Sequence, residues 1–171
     1  MSFTRYALLM VAVAALGACS TSADRFGDGS GTGAAGGLST SALGDPSDPT
    51  SVAFFQQTVG DRVLFVVDQS TLTSEAQVTL AQQAAFLTSN PEYTAIIEGH
   101  ADERGTREYN LALGARRASA VQDFLVSQGV APGRLQTVTY GKERPLEVCS
   151  DEACYSQNRR AVTVLAAGLG S

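Results

Sequence analysis

The stretch YTAIIEGHADERGTREYNLALGARRA, residues 93–118, changes its periodicity along its length. Tyr93 to Glu98 is rich in β-branched and aromatic side chains and reads as a strand, closed by Gly99. His100 to Arg107 is a charged loop. From there apolar residues recur at helical spacing. Leu111, Gly114, Ala118, Val121 and Leu125 share one face of a helix over residues 107–127, and Gly129 punctuates its end. A loop at the carboxyl end of a strand, leading straight into a helix, is where α/β crevices bind ligands.

The alternation continues on both sides. Val63-Leu64-Phe65-Val66-Val67 is a continuous β-branched and aromatic run, expected to be a buried strand. Ser74-Glu75-Ala76-Gln77 resembles a capping box opening a helix on which Leu80, Ala84 and Leu87 share a face, and Asn90-Pro91 ends it. Leu135 to Tyr140 and Ala161 to Leu165 alternate as two further strands. The order is β-α-β-α-β, a variable loop, then β. The expected fold class is therefore an α+β sandwich of βαβαββ order, with two main helices packed on one mixed four-stranded sheet.

The amino terminus reads differently. Arg5 precedes ALLMVAVAAL at residues 7–16, an apolar run shorter than the roughly 20 residues a bilayer-spanning helix needs, but suited to a signal peptide. Leu16-Gly17-Ala18-Cys19 resembles the lipobox of bacterial lipoproteins. That resemblance implies cleavage after residue 18 and a Cys19 carrying S-diacylglycerol and N-palmitoyl groups, a stable hold where one chain is marginal. Ser20 after the cysteine implies the outer membrane. Residues 19–55 are rich in Gly, Ser, Thr and Pro and bury too little apolar surface to offset chain entropy. They read as a lipidated amino terminus and flexible linker, with the folded domain over residues 56–171.

The remaining cysteines, Cys149 and Cys154, are even in number, and an oxidising periplasm makes a disulfide between them the expectation. The C-x4-C spacing fits neither a redox pair nor half of a zinc site. A formal net charge of −5 excludes a phosphate-backbone partner such as nucleic acid. The single histidine excludes a multi-histidine metal site, and no cofactor is implied. His100 itself reads as a strand-end hydrogen-bonding group rather than a base.

At about 100° per residue, the core stripe of the helix over 107–127 centres near Gly114 and Ala118. Arg116 points away from it, and Asn110 and Arg117 lie roughly 80° to its side. Arg117 is then expected to be half-buried and aimed at the loop that carries Asp102. The two could line one pocket with a charge of each sign, which suits a zwitterion. A plain surface ion pair, worth about 0–1 kcal/mol, is the alternative.

Gly99-His-Ala-Asp-Glu-Arg-Gly-Thr106 with Tyr109-Asn110, Tyr140-Gly-Lys-Glu-Arg-Pro145 and Asn158-Arg-Arg-Ala161 resemble the OmpA-like C-terminal domain family, most closely its lipoprotein members. The resemblance implies noncovalent binding of peptidoglycan through the diaminopimelate of its stem peptide. Asp102 matches the aspartate that pairs with the ammonium, and Arg117 the arginine that holds the carboxylate. Asp68 falls where the family's first strand ends in Phe-Asp, with Val67 in place of the Phe. Arg104, Thr106, Asn110 and Leu113 fall on motif positions that shape the pocket. Lipoprotein members tether the outer membrane to the wall, bind TolB and engage TolA in the Tol–Pal system, and support envelope constriction at division. Two other readings were weighed against this. A periplasmic amidase or hydrolase lacks a G-x-S-x-G elbow and a second histidine. The wall anchor of a motor stator would carry a transmembrane helix before the linker.

Overall fold

The computed structural model describes residues 43–148 and 150–167. The signal peptide, Cys19, the linker as far as residue 42, and Cys149 lie outside the described residues.

Residues 43–55, assigned above to the linker, are folded. Ser51 caps a single helical turn, α1 (Val52–Phe54), by accepting from the Phe54 amide, and its own hydroxyl donates to the Asp45 carbonyl at 2.6 Å. A π-helical turn over Phe55–Gly60 follows. Phe55 is completely buried, with its ring 5.0 Å from Phe86, which in turn stacks on Tyr93. The Tyr93 hydroxyl donates to the Thr50 carbonyl at 3.0 Å. Composition hid this collar because Gly44, Pro46 and Pro49 build turns, while one apolar anchor, Phe55, secures them.

The remaining order is β1 (Arg62–Leu64), α2 (Ser74–Ser89), β2 (Tyr93–His100), α3 (Arg107–Ser127), β3 (Leu135–Gly141), α4 (Glu152–Asn158) and β4 (Arg160–Ala167). The strands form one mixed sheet in the order β1-β4-β2-β3. β2 and β3 are parallel, and β4 is antiparallel to both β1 and β2. The last strand thus inserts between the first two, and the expected α+β sandwich holds. Val63, Phe65, Leu80, Leu87, Ala95, Ile97, Ala118, Val121 and Leu125 are among the side chains that meet between helices and sheet.

Three local expectations change. β1 is an edge strand with a single neighbour, so it buries alternate residues only. Val63 and Phe65 point inward, Val66 and Val67 are 45% and 46% exposed, and the chain leaves the sheet at once. The cap of α2 is Thr73, one residue earlier than the sequence suggested; its hydroxyl accepts from the Ala76 amide at 3.2 Å. The short helix α4 occupies the loop before the last strand.

Gly99 and Gly114 explain how α3 sits so close to β2. A Cβ on Gly99 would lie 1.9 Å from the Gly114 carbonyl oxygen, and one on Gly114 would lie 2.5 Å from Thr139 Oγ1. Backbone therefore rests on backbone. Next along β2, His100 is 2% exposed, and neither ring nitrogen has a hydrogen-bond partner of good geometry. It stacks near Tyr140, with Glu98 Oε2 3.6 Å from Nε2. The strand-end hydrogen bond expected of it is reduced to a weak contact with the Arg144 backbone. Burial, reinforced by the charges of Arg160 and Arg144, pushes its pKa down to about 4.

Two outcomes follow. Gly99→Ala forces the helix off the sheet and should cost roughly 1–3 kcal/mol, read as a lowered Tm. His100 is neutral when folded but takes a proton near pH 6.5 when unfolded, so stability should fall as pH drops from about 6.5 to about 4. The loss is of order 3 kcal/mol, and His100→Phe should flatten that part of a urea-midpoint profile.

Candidate functional site

Three pieces of backbone meet beside the amino-terminal half of α3: the turn after β1, the loop after β2, and the helix itself. Thr106 caps α3, accepting from the Tyr109 amide at 3.2 Å. Gly105 takes a left-handed φ of 86°, which folds the loop back over the helix start. Asn110, 1% exposed, donates from Nδ2 to the Arg104 carbonyl at 2.7 Å and fixes the loop's height.

Arg117 is fully buried, not half-buried as helical geometry alone suggested. The difference arises because the turn after β1 folds over that flank of α3, so Asn110, Leu113 and Arg117 form a second buried row. Its guanidinium donates from Nε to the Gln69 carbonyl at 2.8 Å, from Nη1 to the His100 carbonyl at 2.8 Å, and from Nη2 to the Val66 carbonyl at 3.3 Å. The Phe65 ring lies 5.1 Å from Cζ. A guanidinium has five N–H donors, so one remains on each terminal nitrogen. Among the described residues no carboxylate pairs with it within 4 Å. Desolvation pushes its pKa down to about 10, which leaves it charged at neutral pH.

Asp102, 8% exposed, supplies the opposite charge but does not pair with Arg117. Its Oδ2 accepts from Arg104 Nη2 at 2.6 Å and from Arg159 Nη1 at 3.2 Å. Its Oδ1 accepts from the Arg104 amide at 3.3 Å. Burial raises its pKa, but the two arginines outweigh that and hold the carboxyl below its usual range. Arg159 is buried and is tied in turn to the Phe65 carbonyl and to Glu152. Behind this cluster Asn158, fully buried, donates to Glu103 Oε1 at 2.6 Å, and Lys142 donates to the Glu103 and Gly105 carbonyls. The loop after β2 is thus braced from the far side by residues next to β3 and β4.

Asp68 is the one non-glycine residue among those described with a left-handed φ, 60°. That conformation turns its carboxylate towards the Tyr109 hydroxyl, which donates to it. Asp68, Asp102, Arg104, Asn110, Leu113 and Arg117 line a single cavity of about 420 Å³, together with Val67, Gly105 and Tyr109. Of the residues singled out from sequence, Thr106 is absent from the wall, because its hydroxyl is spent on the helix cap. Tyr109, part of the same sequence motif, joins the wall from the first turn of α3, and its place next to Asn110 is the signal for it in the sequence. Arg159 touches the site from beneath. Cys154 is disulfide-bonded, and position 149 lies outside the described residues.

A larger groove, about 580 Å³, lies on the other side of the turn after β1, against α2. It gathers fewer buried charges than the smaller cavity, so we assign the site to the latter. In it two carboxylates and two guanidiniums face one space, and the buried Arg117 has hydrogen-bonding capacity to spare. Such a lining can hold one anionic and one cationic group of a single small ligand.

Residues 64–159 match the OmpA family. A peptidoglycan-associated lipoprotein of Mesorhizobium japonicum is 59% identical over 123 residues, which cover 72% of this chain and 73% of that protein. Its counterpart from Rhizobium meliloti is 49% identical over 164 residues, 96% of this chain and 88% of that one. The crystal structure of the peptidoglycan-associated lipoprotein from Burkholderia pseudomallei superposes with a TM-score of 0.64 at 40% identity, covering 73% of this chain and 99% of the other. The C-terminal domain of Helicobacter pylori MotB shares the fold at 18% identity and a TM-score of 0.59, covering 64% of this chain and 86% of its own. The chain belongs to the OmpA family and groups within it with the peptidoglycan-associated lipoproteins.

Proposed function

We propose that this chain is an outer-membrane lipoprotein that grips peptidoglycan noncovalently, through the diaminopimelate of the stem peptide, without performing catalysis. The observation that carries the reading is Arg117, a buried guanidinium without a carboxylate partner, with two N–H groups to spare, lining the same cavity as Asp102. Burying an uncompensated cation is costly, and a ligand carboxylate docked on it recovers that cost through two charge-assisted bonds. Diaminopimelate brings a free carboxylate and a free ammonium on one carbon, and Asp102 and Asp68 can receive the ammonium. That the similar proteins are peptidoglycan-associated lipoproteins supports the same ligand class.

A hydrolytic role has less support. The one histidine is buried, and neither it nor a serine, threonine or cysteine lines the cavity. On our reading Cys19 carries the lipid and residues 20–42 give the domain reach, so the protein joins membrane to wall. It would do so within the Tol–Pal system, with TolB and TolA as its protein partners and TolB competing with the wall for overlapping surface.

Three measurements test this. Asp102→Asn keeps the shape of the side chain but weakens its charge pairing, and should reduce sedimentation with diaminopimelate-type peptidoglycan at least tenfold; normal sedimentation would remove Asp102 from the ligand site. Arg117→Ala is a poor probe, since it leaves the Gln69 and His100 carbonyls without its donors and should itself lower stability by about 1–3 kcal/mol for each one left unpaired. The ligand is the better variable. A soluble stem peptide with lysine in place of diaminopimelate lacks the second carboxylate and should bind at least roughly tenfold more weakly, or about 1.4 kcal/mol. Equal affinity would exclude Arg117 as its receptor. Finally, Cys19→Ser should release the protein from the membrane fraction; retention would mean another anchor.

A further inference from the structure

The acceptor on Asp102 is already occupied. Both side-chain donors of Arg104, Nε at 3.3 Å and Nη2 at 2.6 Å, converge on Oδ2, where Arg159 Nη1 also arrives at 3.2 Å. The two arginines are not equivalent. Arg159 is 7% exposed at its side chain and is held by the Phe65 carbonyl and Glu152 as well. Arg104 is 46% exposed and makes no other side-chain hydrogen bond among the described residues. It lies on the cavity wall, between Asp102 and the solvent. A second berth is already partly engaged. Glu152 Oε2 is 3.9 Å from Nη2, and the Tyr155 ring lies 4.8 Å from the Arg104 Cζ.

We propose that Arg104 is a displaceable internal counter-cation: in the free protein it neutralises Asp102, and a ligand ammonium evicts it onto Glu152 and the Tyr155 face. This rests on the ligand class proposed above and adds a specificity device to it. Only a group that carries a positive charge and donates hydrogen bonds can replace the guanidinium without leaving Asp102 buried and short of a partner. A neutral amide or an acylated amine at the same place gains nothing from the exchange. Arg159 keeps the carboxylate oriented throughout, so the site does not collapse when Arg104 leaves. The exchange also spares the empty cavity an unpaired buried anion.

The consequence is counter-intuitive, because removing a conspicuous residue of the motif should tighten binding. The test uses the purified full chain and two synthetic stem tripeptides ending in meso-diaminopimelate, one with the side-chain amine free and one with it acetylated. By calorimetry, Arg104→Gln should bind the free-amine peptide roughly three- to tenfold more tightly than the natural chain, the range expected for losing one competing charge-assisted contact. It should leave the acetylated peptide unchanged. Arg104→Lys, which keeps a competing cation but loses the two-donor grip on Oδ2, should gain less free-amine affinity than Arg104→Gln. Glu152→Gln retains an oxygen for Arg159 but weakens the berth, so it should reduce free-amine affinity a few-fold in the natural background and not at all beside Arg104→Gln. Free-amine binding by Arg104→Gln that is unchanged or weaker overturns the proposal, and so does an equal gain for both peptides. If the natural chain binds neither peptide, the ligand assignment itself fails, and this inference falls with it.

Discussion

The buried guanidinium of Arg117 ties two separate stretches of chain to one helix. It holds the carbonyls of Val66 and Gln69 in the turn after β1 and that of His100 at the end of β2. Each carbonyl sits where regular strand pairing has stopped, and each needs a donor. One side chain donates to all three, alongside the Gln69 amide that also serves Val66, and so draws both stretches toward the same space. Its reach depends in turn on the glycine contact between β2 and α3, since any side chain at Gly99 would lift the helix away. The site is therefore a by-product of how the layers close.

The same economy governs charge. Four arginine and aspartate side chains line the cavity, yet the two that carry the ligand argument do not neutralise each other. Asp102 is compensated by Arg104 and Arg159, while Arg117 is compensated only by carbonyl dipoles and distant carboxylates. Had Asp102 and Arg117 paired directly, each would have been satisfied and little would remain for a ligand. Separate compensation keeps both poles of the cavity available.

Most of the fold was legible because long periodic segments dominate it. The residues of α3 declare a helix by their spacing, and the strand that begins at Tyr93 was legible too, although it runs through Gly99 to His100 because both still pair with β3. Short-range chemistry was less legible. The depth of Arg117 depends on a turn more than 45 positions earlier in the chain, and helical geometry carries no information about what folds over a flank. The pairing of Asp102 with Arg159 joins residues 57 apart, from two loops whose meeting only the inserted strand β4 brings about. The collar over residues 43–55 escaped notice because its turn-forming residues resemble those of a linker, and a single phenylalanine makes the difference. The capping of α2 was misplaced by one residue because adjacent Thr and Ser are equally able to start a helix.

The collar also fixes a direction. It seats residue 50 against Tyr93, at the first residue of β2, while the cavity opens beyond His100, at the last. Eight residues of extended chain, on the order of 26 Å, separate the two ends. On the proposed function, tension between the amino terminus and a bound ligand would run lengthwise through β2, one of the two central strands, laddered by β3 on one side and β4 on the other. Pulled in that direction, the hydrogen bonds of both ladders are loaded together in shear instead of being peeled one after another. Under the proposed function, that is the line along which a load between membrane and wall would fall.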